Sequence, residues 1–285
     1  MALPRGEGVS EYQPPTLIDS DCNCIDLVLV IDDTGSMFGA IANVAAGIED
    51  IIDLADSTCG SVQAALVTFS DTVEVDEDLT FNVAAVKTAV GNLIATGGVG
   101  IPEASDEALR EVLTEPGTIC TKIGDFTTGA FRDTCCRVVV LVTDAQPGGC
   151  DDFYDAGVDM PNAHDRALEA AAAGIQIGAL FVPTFGDPGD IVTIMTDYAG
   201  TSGGVYGQTA ADGNGTAAAI EQLILDCIGQ AQTELCCIPD AHQCVEVLAG
   251  QCDALGGYVV SDCSECEFTG TESSSWGTVK KLFRD

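Results

Sequence analysis

Asp32, Thr34 and Ser36 stand at alternate positions in I-D-L-V-L-V-I-D-D-T-G-S-M, the run from Ile25 to Met37. One carboxylate and two hydroxyls at that spacing, on a loop leading into a helix, can all turn toward one hard cation such as Mg2+. A second carboxylate, Asp144, ends another apolar run that begins at Arg137, R-V-V-V-L-V-T-D. In open α/β sheets, ligands bind outside the carboxyl ends of the strands, where strand order reverses. Two such strand ends would bring Asp32, Thr34, Ser36 and Asp144 to one edge. Taken singly the residues have a plainer reading, since D-D-T-G-S also caps a helix through Asp33, Thr34 or Ser36. Taken with Asp144 the metal reading gains, and capping and coordination are compatible.

The elements that must hold these residues are legible as an alternation of strands and helices from Ile25 to about Gly229, the signature of a doubly wound, mostly parallel α/β sheet. Ile25 onward is apolar and largely β-branched, as expected of a central strand covered on both faces. Ile41, Val44, Ala45, Ile48, Ile51 and Ile52 fall at helical spacing within Met37 to Ala55, and Ser61 to Phe69 reads as the next strand. Val73 to Phe81 reads as a short hairpin. Helices are expected over Asn82 to Ile94 and Pro102 to Leu113, the second with Pro in its first turn and Glu103 near the positive end of its dipole. Arg137 to Thr143 is a second buried strand. A helix over Ala163 to Ala173, a strand over Gln176 to Val182, a short helix near Ile191 to Tyr198, an edge strand around Val205 and a helix from Gly215 to Cys227 complete the unit.

Bulk properties bound the function. In 285 residues, 45 acidic side chains against 10 basic ones give a formal charge of −35. That much negative charge repels phosphate backbones and anionic lipid surfaces, so nucleic acid is excluded as a partner class. No stretch approaches the roughly 20 apolar residues of a membrane span. The 14 cysteines favour a disulfide framework in an oxidising setting, which places the protein outside the cell, on a cell surface or on a particle surface. Met1 to Pro15 has no apolar core of signal-peptide length, which leaves the export route open.

Three loops carry a family resemblance. They are Asp32-Asp33-Thr34-Gly35-Ser36, then Thr96-Gly97-Gly98-Val99-Gly100-Ile101-Pro102-Glu103, then Thr143-Asp144-Ala145-Gln146-Pro147. Together, over roughly residues 25 to 229, they resemble the von Willebrand factor A domain: its D-x-[ST]-x-S metal-ion-dependent adhesion site (MIDAS), a G-G-x-x-x-P-E-like second loop and a T-D-x-x-P third loop. The resemblance implies that Thr34 and Ser36 bind a cation through hydroxyls while Asp32 and Asp144 hold it directly or through water. Mg2+ is the expected ion, with Ca2+ and Mn2+ as alternatives. The family often supplies a hydroxyl or carboxylate just after the paired glycines, where this chain has Val99 and Gly100, so Thr96 is the substitute candidate. A cation meeting few direct carboxylates keeps positive charge for an acidic side chain of a partner protein. Binding rather than catalysis is expected.

The expected organisation is an N-terminal extension over 1–21, the von Willebrand factor A-like domain over 22–230, a small cysteine-rich module over 231–268, similar to modules of bacterial extracellular proteins, and a tail over 269–285. Six of the cysteines, Cys236, Cys237, Cys244, Cys252, Cys263 and Cys266, belong to the module. So short a segment needs cross-links for stability, each worth about 2 to 4 kcal/mol. Zinc held with His242 is the weaker alternative. Cys22, Cys24, Cys59, Cys120, Cys135, Cys136, Cys150 and Cys227 are the remaining disulfide candidates, with pairing open.

Rival chemistries fail on their own requirements. Asp33-Thr34-Gly35 matches one aspartic-protease triplet, but no second triplet is present and the helical segments contradict an all-β dimer. A dehalogenase-like D-x-D is excluded because the two aspartates are adjacent. His164 reads as a capping or surface residue. The acidic runs at Asp71 to Asp78, Asp151 to Asp159 and Asp187 to Asp190 match no EF-hand and read as solvated surface. Trp276 to Arg284, W-G-T-V-K-K-L-F-R, is the one basic and aromatic cluster of the chain and reads as a segment that docks on its own domain or serves assembly. The class competing with adhesion is a structural subunit of a surface filament or virion that uses the fold for self-assembly.

Overall fold

The computed structural model describes residues 23–98, 102–114, 121–127, 129–150, 153–184, 189–231, 233–239, 243–248, 257–260 and 262–266. Strand β1, Ile25–Asp32, is buried along its whole length. Alternate side chains of a strand point to opposite faces, and here both faces are covered. Ile25, Leu27, Leu29 and Ile31 enter one core with α1 (Ile41–Thr58), α2 (Val83–Gly91) and α6 (Thr216–Ala231). Val28 and Val30 enter the other core with α3 (Ser105–Leu113), α4 (Asp159–Ala172) and α5 (Ile191–Ser202). Full burial of each such side chain contributes roughly 1.5–3 kcal/mol.

The remaining strands of the sheet are β2 (Val62–Phe69), β3 (Thr72–Thr80), β4 (Thr121–Ile123), β5 (Cys136–Thr143), β6 (Gln176–Phe181) and β7 (Tyr206–Gln208). Their order is β4-β3-β2-β1-β5-β6-β7. The β2–β3 pair is antiparallel and the others are parallel. β1 pairs with β2 up to Asp32↔Phe69 and with β5 up to Ile31↔Val142, so Asp32 and Thr143 end neighbouring strands at the same level. The direction of strand addition reverses between β1 and β5, which opens a crevice at their C-terminal ends.

Several elements differ from the sequence expectation. Val73 to Phe81 forms no hairpin of its own: β3 is one strand that pairs back on β2, with the tight connection at Ser70, whose N–H donates to the Thr72 carbonyl at 2.9 Å. The helix expected from Pro102 starts at Ser105. Glu103 donates its N–H to the Gln146 carbonyl at 2.9 Å and accepts from the Gly148 N–H at 3.0 Å, so its backbone is engaged across the loops. Asp106 and Glu107 take the acidic places in the first turn of α3. The segment from Met37 enters its helix through a 3-10 turn, Gly35–Gly39. α4 begins four residues before the expected Ala163, with Pro161 in its first turn, where no intrahelical donor is lost. β4, only three residues long, has no counterpart among the elements expected from sequence.

The far edge of the sheet is closed by covalent and ionic links. Cys24 and Cys135, beside the starts of β1 and β5, are joined across a separation of 111 residues. Cross-links closing loops of that size are worth about 4–5 kcal/mol in the chain-entropy account. Asp26, fully buried, accepts from Arg132 Nε at 2.7 Å and from the Arg132 N–H at 2.6 Å. The guanidinium also reaches Ser61 Oγ at 2.7 Å and the Ile25 carbonyl at 2.8 Å.

Beyond α6, β8 (Thr233–Ile238), β9 (Gln243–Leu248) and β10 (Tyr258–Val260) form a second sheet, ordered β10-β8-β9. Cys237 bonds Cys266 and Cys244 bonds Cys263, so the two cysteines of the C-x-x-C pair go to different strands. Cys59, Cys136, Cys150 and Cys236 are also in disulfides, and no cysteine among the described residues is free. Cys22, Cys120, Cys252, His242, the Cys227 side chain, the segment 1–21 and the tail 269–285 lie outside what is described. Among the described residues no helix is long and apolar enough to cross a membrane.

Candidate metal centre

The turn after β1 is built so that side chains and backbone face one point. Thr34 has an extended backbone, and both its N–H and its hydroxyl donate to Asp32 Oδ1, at 3.0 and 2.6 Å. Thr34 Oγ1 lies 2.7 Å from Ser36 Oγ, and Ser36 Oγ donates to Asp144 Oδ1 at 2.9 Å. The four residues singled out in the sequence therefore form one continuous chain of oxygens across two loops. Glycines make room for it. The Gly35 N–H donates to the Gly97 carbonyl at 3.0 Å, and Gly98, at φ +69°, would with a Cβ meet Glu103 Oε1 at 2.9 Å and Thr34 Cβ at 3.1 Å.

Two further hydroxyls, given no role in the sequence reading, fix the carboxylates from behind. Thr143 Oγ1 donates to Asp32 Oδ2 at 2.6 Å, and Thr184, just past β6, donates its hydroxyl to Asp144 Oδ2. Thr143 precedes Asp144 in the third loop and could have been found by adjacency. Thr184 has no such signal, lying 40 residues from its partner. Thr96 behaves differently from the expectation. Its side chain is exposed, its N–H donates to the Asp33 carbonyl at 2.7 Å, and among the described residues no hydrogen bond links its hydroxyl to the oxygen chain. Val99 to Ile101 of the same loop lie outside the described residues.

The electrostatics are one-sided. Asp32 is fully buried and Asp144 nearly so, and no ion pair among the described residues involves either. Burial, followed by the Asp144 charge, pushes the Asp32 carboxyl up to about 6. Burial likewise raises Asp144 above the ordinary carboxylate range. Asp33, half-buried beside them, is pushed up to about 7 by burial and then by Asp32, Asp76 and Glu74. Hard oxygen donors, two of them carboxylates with no paired cation among the described residues, fit a divalent ion of the Mg2+ or Ca2+ type. Among the described residues no three His, Cys, Asp or Glu side chains converge, so hydroxyls must complete any such set.

Other candidates resolve into structure. His164 Nδ1 lies 2.8 Å from Asp197 Oδ2, an exposed tie between α4 and α5. Asp76 Oδ2 accepts from Thr68 Oγ1 at 2.8 Å, Asp155 Oδ1 from the Gly157 N–H at 2.8 Å, and Asp190 Oδ2 from Tyr154 Oη at 3.1 Å.

Comparison with known proteins agrees with the fold. Residues 26–146 match the family model of the von Willebrand factor A domain. The VWA domain of SpRpn10 superposes with TM-score 0.50 at 11% identity, over 70% of this chain and 95% of that one. Proximal thread matrix protein 1 from the mussel byssus superposes with TM-score 0.53 at 17% identity, over 73% of this chain but 47% of its own length. A further structure of that byssus protein, with a zinc-occupied MIDAS motif, gives TM-score 0.53 at 19% identity over the same shares. No curated protein matches. The seven-stranded unit thus has the von Willebrand factor A fold.

Proposed function

We propose that this von Willebrand factor A fold serves divalent-cation-dependent protein binding outside the cell, with Asp32, Thr34, Ser36 and Asp144 holding the ion. The observation that carries the reading is the oxygen chain from Asp32 to Asp144, largely buried and, among the described residues, without a paired Lys or Arg. A buried carboxylate pair of this kind costs free energy unless a countercharge arrives. When bound, a divalent ion would supply that charge and leave an acceptor position for a partner's acidic side chain. The protein's own part is positional: Thr143 and Thr184 hold the two carboxylates, and Gly35 and Gly98 let the second loop close on the first.

Hydroxyls and carboxylates disposed to meet a cation support a binding protein over an enzyme. The zinc-occupied MIDAS of the mussel byssus protein supports a divalent ion at this edge, as does the family match. Mg2+ suits the mixed hydroxyl and carboxylate set best, with Ca2+ and Mn2+ as competitors. Disulfides distributed across both sheets support an oxidising, extracellular setting. Calorimetric titration of the intact chain and of Asp32→Ala with Mg2+, Ca2+ and Mn2+ tests the site. Heat present in the first and absent in the second is expected, and equal heats from both would overturn it.

A further inference from the structure

We infer that Asn214 is the attachment site of an N-linked glycan, which stands at the rim of the metal-bearing edge. This rests on the extracellular reading above and adds a covalent modification to the surface that a partner would meet. Asn214-Gly215-Thr216 is an N-x-[ST] acceptor sequence, and none of the other five asparagines of the chain opens one. Such a sequence serves only where the folded chain leaves room for a bulky polar group.

The fold provides that room. Asn214 is exposed on the loop between β7 and α6. Its Nδ2 donates to Asp212 Oδ2 at 2.7 Å and its backbone N–H to Asp212 Oδ1 at 3.1 Å, both bonds staying within the loop. A Cβ built on Gly215, at φ +98°, would meet nothing within 4 Å, so the space beside Asn214 is open. Thr216, by contrast, is 1% exposed, and its hydroxyl donates to the Gly213 carbonyl at 2.8 Å where α6 begins. The hydroxyl of the acceptor sequence is thus hidden in the fold while its amide is not. Transfer therefore precedes the closure of α6, and the product is carried into the folded chain. In that step the bond from Nδ2 to the sugar C1 forms and the C1–O bond of a lipid-linked oligosaccharyl diphosphate breaks. The diphosphate leaves with the electron pair, and Nδ2 gives up one proton. The N–H that remains serves the bond to Asp212.

Position gives the modification its consequence. β7 runs parallel to β6, β6 to β5 and β5 to β1, so the loop that follows β7 leaves at the edge where Asp32 and Asp144 lie. That loop is pinned to the start of α1. Asn43 Nδ2 donates to the Asp212 carbonyl at 2.7 Å, and a Cβ on Gly213 would lie 2.7 Å from the Ala40 carbonyl oxygen. Ala40 directly follows the 3-10 turn that holds Ser36. A glycan on Asn214 therefore flanks the metal centre on its α1 and α6 side and bars a partner from that direction.

Mass spectrometry of the full chain, isolated from outside the cells that make it, tests this. The peptide holding Asn214 should carry added sugar mass, and enzymatic release of the glycan in 18O-water should leave a labelled Asp at that position. Made in the same cells, Asn214→Gln and Thr216→Ala should each lose the added mass, and Thr216→Ser, which keeps the hydroxyl, should retain it. A bare Asn214 on a disulfide-bonded chain outside the cell overturns this inference and leaves the extracellular reading standing. An unlabelled Asp at 214, the product of spontaneous amide loss, also overturns it, as does added mass that persists in Asn214→Gln. A chain found only inside the cell, with free thiols, overturns both. Heat with Mg2+, read on the same samples, stands apart: its absence overturns the metal reading and leaves the glycan in place.

Discussion

β1 carries one fully buried aspartate near each end, and the two are treated in opposite ways. Asp26, at the far edge, receives the Arg132 guanidinium and backbone N–H, and Ser61 Oγ and the Ile25 carbonyl accept further guanidinium N–H groups. Asp32, six residues on, receives among the described residues the hydroxyls of Thr34 and Thr143 and the Thr34 N–H, and faces a second carboxylate. The same residue type on the same strand is thus neutralised internally at one end and left charged at the other. A fold that can place an arginine beside Asp26 has the means to do so beside Asp32. On the metal reading proposed above, the positive charge at the second site is supplied from outside, which would separate stability and function along one strand.

The largest effect should come from breaking the closed end. Arg132→Ala removes the only described cation paired with Asp26 and the contact of the guanidinium over the Phe81 ring, 5.3 Å from its centroid. Stranding a buried charge costs about 3–5 kcal/mol, readable as a fall in the urea midpoint. Asp32→Asn keeps an acceptor for Thr34 and removes like-charge repulsion, so the metal-free chain should lose nothing or gain. Equal losses in the two variants would erase the distinction between the ends.

Loading the open end comes next. A ligand that binds only the folded state at a hundred times its Kd stabilises by about 2.7 kcal/mol. Mg2+ at that excess should raise the melting temperature of the intact chain and leave that of Asp144→Ala unmoved. A shift of the same size in Asp144→Ala would place the bound ion elsewhere.

The open end should also show itself in pH. Asp32 and Asp33 are raised to about 6 and 7, and Asp106 is raised to about 6 by burial and then by Glu107. A raised carboxylate favours its protonated form in the fold, so its stabilisation is present below pH 4 and is lost as pH rises through 6 to 7. With EDTA present, the contribution of these groups makes the chain more stable at pH 5 than at pH 8, by on the order of 2 kcal/mol from Asp32. Saturating Mg2+ should flatten the share of Asp32 and leave that of Asp106, which lies on α3. A metal-free midpoint that rises from pH 5 to pH 8 would contradict the uncompensated charge.

How much of this was legible follows from which forces are local. β1 and β5 announce themselves because strands buried on both faces must be apolar throughout, and D-D-T-G-S and T-D mark their ends. β4 is not legible in the sequence because three residues, two of them exposed, carry no period. In sequence α3 reads as starting too early because Pro102 and Glu103 look like a first turn, and a tertiary contact, the loop holding Gln146 and Gly148, draws them away from it. In sequence β3 reads as a hairpin because its acidic alternation, T-V-E-V-D-E-D-L-T, resembles two short strands around a turn, whereas its pairing partner is β2. Thr96 is a candidate only through its position in a loop motif, and position does not determine whether a side chain points inward. In each case the missing information was a contact between segments distant in sequence.

Thr184 is the sharpest instance and gives the smallest of the expected effects. Its hydroxyl donates to Asp144 Oδ2, the carboxylate oxygen turned away from Ser36. Residues that orient a metal ligand from behind typically contribute 10- to 100-fold in affinity. Thr184→Val keeps the shape and removes the donor, so Mg2+ affinity should fall about tenfold, about 1.4 kcal/mol, while the urea midpoint of the metal-free chain changes little. Thr184→Ser should restore the affinity, because the hydroxyl and not the methyl is what positions Asp144. If Thr184→Val binds Mg2+ as tightly as the intact chain, Ser36 alone suffices to hold Asp144, and the open end depends on the first loop more than on the sheet edge as a whole.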